Sequence, residues 1–164
     1  MPIDNRPTIT SDQHVNDMRS ALEHRATWFY LLLQEAEKAG TDWEAVGRAA
    51  VRRCGVLHGN TKFTKTEDLE AFGKEFASAL YARIFEMDVK ELSADAFRVE
   101  FHYCPHVAAW RKLTGDEQKI ATLCDIAMDG DRGIVSTFPR FDFTLGDTIA
   151  KGGSCCQLTI RKKK

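Results

Sequence analysis

Apolar residues along this chain recur first at helical spacing and later at alternate positions, and the change of period divides it in two. From Val15 they fall at Met18, Leu22, Ala26, Phe29, Leu32, Leu33 and Ala36, an amphipathic stripe of about six turns that Gly40 ends. A second helix opens at Thr41 or Asp42, with Glu44 completing a capping pattern. It carries Trp43, Val46, Ala50, Cys54 and Leu57 inward and stops at Gly59-Asn60. A third starts near Thr66, where Glu67-Asp68 complement the helix dipole, and presents Leu69, Phe72, Phe76, Leu80 and Ile84 before ending ahead of Asp88.

The period then falls to two. Phe97, Val99, Phe101 and Tyr103 alternate with Arg98, Glu100, His102 and Cys104, which predicts a strand with one face on helices and the other polar. Residues 89–93 form its antiparallel partner. Pro105 suits the first turn of a helix, where its missing N–H has no helical partner, and Val107, Ala108, Trp110 and Leu113 continue that helix. Gly115-Asp116 break and recap the chain. Ile120, Leu123, Cys124, Ala127 and Met128 then line a helix that Gly130 ends. Phe141, Phe143 and Leu145, followed after Gly152-Gly153 by Cys156, Leu158 and Ile160, predict a hairpin with a glycine turn. Helices first and antiparallel pairs later give an α+β fold: a β-β-α-α-β-β core with a four-stranded antiparallel sheet, covered on one face.

The chain has 164 residues, expected to form one domain over 1–164 with 1–10 and 161–164 as loose ends. Its formal net charge of -1 argues against nucleic-acid or membrane electrostatics, and the cluster Arg161, Lys162, Lys163 and Lys164 reads as a solvated tail. No apolar run reaches a membrane span, and the first ten residues lack the order of a secretion signal, so the expected compartment is the cytoplasm. The five cysteines include no Cys-x-x-Cys pair, so neither a disulfide framework nor a zinc or redox site is expected. Cys155 and Cys156, neighbours on a strand, are expected to face opposite sides.

His102-Tyr103-Cys104-Pro105 with Ala109-Trp110, then the run from Leu123 to Asp131, then Phe143 to Ala150 with a glycine turn before Cys156, resembles the L-2-amino-thiazoline-4-carboxylic acid hydrolase family. The resemblance spans roughly residues 25–160 and implies water-driven opening of a cyclic isothiourea-like ring, without a diffusible cofactor. A fainter similarity links the same half to 4-vinyl reductase-type small-molecule-binding domains, which often hold zinc. Thr148 stands where that group would supply a thiol ligand, so no metal is expected here. Gly152-Gly153 and His106 depart from the hydrolase pattern, which bears on fine specificity.

Such chemistry needs a partner for the amidinium, a base or a nucleophile, an acid for the leaving group and a cation for the substrate carboxylate. Cys104, just before the helix at Pro105, is the leading nucleophile candidate, because the helix terminus favours a thiolate; a buried structural thiol is the alternative. His102 is the candidate base, sharing a face with Glu100 and Cys104, although side chains two apart on a strand stand about 7 Å from each other. A surface histidine paired with Glu100 is the plainer reading. Asp125 and Asp129, four apart near an expected helix end, repel each other and need compensation by a bound amidinium, by Arg132 or by a lysine. Asp131 and Glu100 are further substrate-binding candidates, with Arg132 as carboxylate clamp. Trp110 is either an aromatic wall or a packing anchor, and Cys124 sits on an apolar stripe. A small molecule is the expected partner, with self-association left open. The competing class is a small-molecule-binding or sensor module without turnover.

Overall fold

A computed structural model describes residues 2–164. It is an α+β structure: α1 (Gln13–Lys38), α2 (Trp43–Thr61), α3 (Leu69–Phe76), α4 (Ala79–Ile84), β1 (Met87–Leu92), β2 (Ala96–Phe101), α5 (Pro105–Leu113), α6 (Glu117–Ser136), β3 (Phe141–Leu145), a 3-10 turn (Ile149–Lys151) and β4 (Cys156–Lys162). The four strands form one antiparallel sheet in the order β1-β2-β4-β3. Phe97, Val99 and Phe101 of β2 are buried while Arg98 is exposed, so the alternation in the sequence does mark one packed and one polar face. No helix among the described residues is long and apolar enough to cross a membrane.

Carboxylates start most of the long helices. Asp12 accepts from the Val15 amide, Asp42 from Ala45 and Asp116 from Lys119, each at 3.0 Å, satisfying amides that have no helical partner. The helix expected over 66–84 is broken at Ala77-Ser78 into α3 and α4. Its two halves bury their aromatic and apolar side chains against different partners. Phe72 and Phe76 pack on Phe138, Phe141 and Phe97, whereas Phe85, just beyond α4, packs on Phe101. One straight helix cannot reach both.

The inward face of α2 is also not the one expected. Val46, Cys54 and Leu57 are exposed, and the buried positions are Gly47, Gly55 and Gly59. These glycines let α2 lie almost backbone to backbone on α6. A β-carbon on Gly55 would fall 2.0 Å from the Gly130 carbonyl oxygen, and one on Gly133 would fall 2.5 Å from that of Arg52. Gly130 therefore does not end α6 as expected; it is an approach point inside a helix that continues to Ser136. On α1 the buried stripe is Val15, Arg19, Leu22, Ala26, Tyr30 and Leu33, which leaves Trp28 and Leu32 in solvent.

The amino-terminal residues, expected to be loose, are tied down. Ile3 and Asn5 are buried, and Glu86 accepts from the amides of Thr8 and Ile9 and from the Thr8 hydroxyl. The β3–β4 hairpin forms as expected, but its connection is a loop over 146–155 that includes the 3-10 turn, with Gly152 in the left-handed region at φ 84°. Cys155 and Cys156 are both buried, because Cys155 lies in that loop, ahead of β4, and is released from strand alternation.

Candidate functional site

The thiol of Cys104 lies inside the protein. β2 ends at Phe101 and the chain turns through His102-Tyr103, so that Cys104 becomes the residue that caps α5. The Asn5 side chain holds its backbone from both sides, donating to the Cys104 carbonyl and accepting from its amide, each at 2.8 Å. The amides of Val107 and His106 do favour a thiolate, as expected of a helix start. Burial outweighs them, and with neighbouring Cys156 it pushes the thiol up to about 12.

The expected Glu-His-Cys row is therefore broken. His102 and Glu100 remain on the polar face, with Nε2 of His102 3.4 Å from Oε2 of Glu100, while Cys104 has joined the core. Asp88, directly across the ladder from Glu100, completes a solvent-facing group with them, and the Lys90 ammonium lies against both carboxylates.

Asp125 and Asp129 are compensated, and by two arginines rather than one. Arg132 reaches Asp125 at 2.7 Å and Asp129 at 3.0 Å; Arg48, on α2, reaches them at 2.8 and 3.1 Å and also holds Glu44. Burial would raise the Asp125 carboxyl, but hydrogen bonds from Arg132 and Arg48 hold it below the usual range. Because α6 runs on to Ser136, this pair lies mid-helix, clear of the unfavourable end of the dipole. Arg48 went unnoticed in the sequence. Its one local signal was the i,i+4 spacing from Glu44.

Asp131 differs from those two. On α6 it follows Cys124 and Met128 along the stripe that faces the sheet, where solvent still reaches it in part. No described residue gives its carboxylate a hydrogen bond. Burial pushes it up to about 7, against the opposing pull of Arg132, and its charge is felt at Cys104. Beyond Cys104 the interior continues into further thiols. Cys124 and Cys156 face each other, the Ile149 amide donates to the Cys156 sulfur at 3.4 Å, and the hydrogen bond with Cys124, followed by burial, raises Cys156 well above a free thiol. Thr148, next to Ile149, is buried with no partner for its hydroxyl among the described residues. Trp110 is buried and donates its indole N–H to the Ala26 carbonyl at 3.1 Å, as an anchor of α5 on α1.

A carboxyl without a hydrogen-bond partner on α6, close enough to be felt by the buried thiol that caps α5, is thus what the motif-bearing half of the chain builds. The family model for L-2-amino-thiazoline-4-carboxylic acid hydrolase matches residues 19–160, nearly the whole of this framework. The chain belongs to that hydrolase family. No curated protein matches the sequence. The matched span contains Cys104, Asp131, Thr148 and Cys156, and it begins at Arg19, the buried cation beneath the amino-terminal segment.

Proposed function

We propose that this protein opens a small cyclic amidine or thiazoline-type ring by addition of water, with Asp131 as the group that moves the proton. The supporting observation is a carboxyl without a hydrogen-bond partner, held at about 7 beside Cys104 in a family of ring hydrolases. A carboxyl that titrates near neutral pH can take the proton of an attacking water at the amidine carbon and return it to the departing ring atom. His102, the base expected from the sequence, faces the opposite, polar side of the sheet. The base role therefore passes to Asp131.

Cys104 is a poor nucleophile where it stands. With its thiol at about 12 and Asp131 at about 7, the proton stays on sulfur, so attack by water is favoured over a thioester-like intermediate. The thiol serves as a polar wall. Arg132 spends three hydrogen bonds on the Asp125 carbonyl and on the Asp125 and Asp129 carboxylates, and a guanidinium carries five donors, so it retains capacity to clamp a substrate carboxylate.

Turnover of cyclic amidines, thiazolines and hydantoins by the purified protein, with and without added metal, tests this reading. Asp131→Asn is expected to lower turnover about a hundredfold or more, as for other lost acid–base groups. Cys104→Ser should keep most of it. The wild-type rate should rise with pH through about 7, the range of the Asp131 carboxyl. Full activity in folded Asp131→Asn would refute the assignment. Saturable binding of such rings without turnover would establish a binding module instead.

A further inference from the structure

Helix α1 carries large apolar side chains on the face turned away from the core as well as on the buried one. Trp28 is 71 % exposed, Leu32 66 % and Leu31 46 %. A surface helix ordinarily keeps its outer face polar, and tryptophan is highly buried on average. A tryptophan and two leucines within one turn of that outer face therefore mark an interaction surface.

The ridge has an order of its own. Ala21, Arg25, Trp28, Leu32, Glu35 and Ala39 are all exposed and follow one another at alternating steps of four and three, the spacing that keeps one seam of a helix turned to a partner helix. They are also placed evenly about position 30. Trp28 and Leu32 lie two residues to either side of Tyr30, Arg25 and Glu35 five, and Ala21 and Ala39 nine. Turned end for end, the ridge sets apolar on apolar, small on small and each charge on its opposite.

We propose that this ridge docks on the same ridge of a second copy of the chain, antiparallel, across a two-fold axis at the level of Tyr30. Trp28 then packs on the partner's Leu32 and Arg25 pairs with the partner's Glu35, and the symmetry makes each contact twice. Both charged groups have capacity for this. Glu35 now pairs with Lys38, both mostly in solvent, an attachment of little worth in water. Arg25 has one nitrogen 3.0 Å from His106 Nε2 and keeps its other donors. A lipid surface is a poorer occupant: helices that lie on lipid border their apolar face with lysine and arginine, whereas Glu35 follows Leu32 here. The ridge includes none of the residues assigned to ring opening, so the pairing does not depend on that reading.

Sedimentation equilibrium of the full chain from about 10 µM to 1 mM tests it. The ridge is smaller than the roughly 20–30 residues a side of a standard interface, so a reversible monomer–dimer equilibrium within that concentration range is expected. Trp28→Glu should weaken it at least about a hundredfold, as for a central aromatic anchor, without lowering the melting temperature of the dilute protein. Arg25→Glu and Glu35→Arg should each weaken it about tenfold, because each sets like charges together twice. The double variant Arg25→Glu/Glu35→Arg should return to within about threefold of wild type, since opposite charges meet again. The proposal is overturned if the protein stays monomeric up to about 1 mM, if it forms open-ended assemblies, if Trp28→Glu still dimerises as wild type does, or if the double variant is no tighter than the singles. A monomer that instead binds vesicles of phosphatidylcholine and phosphatidylglycerol, and loses them in Trp28→Glu, would assign the ridge to a membrane surface and overturn it too.

Discussion

Gly55 and Gly130 bring two helices into backbone contact: a β-carbon on the first would sit 2.0 Å from the carbonyl oxygen of the second. Neither backbone can yield without parting α2 from α6. Gly55→Ala is expected to destabilise the protein by about 3 kcal/mol or more, at or above the usual cost of overpacking. Gly115→Ala, with nothing within 4 Å of its new methyl group, should change stability by less than about 0.5 kcal/mol. Urea denaturation of the two variants measures the contrast.

Asp131 should cost the protein stability at neutral pH. Its carboxyl titrates at about 7 in the folded state, above the ~3.9 of an unfolded chain, so folding favours the protonated form. The cost is absent below about pH 4, grows as pH rises and levels off above about 7. Asp131→Asn should accordingly be about 2–4 kcal/mol more stable than wild type at pH ~8 and equal to it at pH ~4. Urea midpoints at the two pH values decide this, and a flat difference would mean that folding does not raise the carboxyl.

The arginine-linked carboxylates should behave in the opposite sense. Asp125 is held below its ordinary range, so its contribution is present at neutral pH and is lost as pH falls through the depressed folded-state value. Arg48→Met removes one of its two guanidinium partners and should destabilise the protein by about 1–3 kcal/mol at pH ~7. That deficit should shrink under acid, below about pH 3, where wild type loses the same pairing. Thermal melting of both proteins across this range provides the check.

Thiol accessibility reports on the amino-terminal segment. Cys54 is exposed and the other four cysteines are buried, so a thiol reagent should label one group rapidly in the native protein and all five after denaturation. Asn5→Ala strips the Cys104 amide and carbonyl of their partners and should cost about 2–3 kcal/mol. Cys104 should then become labelled faster than in wild type. Mass spectrometry of partially labelled protein identifies the site.

Periodicity alone determined most of the architecture. Alternation from Phe97 to Phe101 set which face of β2 is buried, because a strand's side chains have only two directions to take. Caps at Asp42 and Asp116 were legible because a carboxylate ahead of an apolar stripe satisfies amides that nothing else reaches. The motif around Cys104 and the run from Leu123 to Asp131 pointed to the family. What tertiary structure decided was how close and how deep. Gly130 reads as a helix end and Gly55 carries no reading at all until α2 and α6 are seen in contact, since a missing side chain leaves no apolar signal. Asp125, Asp129 and Asp131 are the same residue type within one helix, yet two are neutralised by Arg48 and Arg132 and the third is left free beside a buried thiol. Arg48 is far away along the chain, and burial is a property of everything packed around a group. Neither is written in local spacing, and those two facts set which carboxyl can exchange a proton near neutral pH.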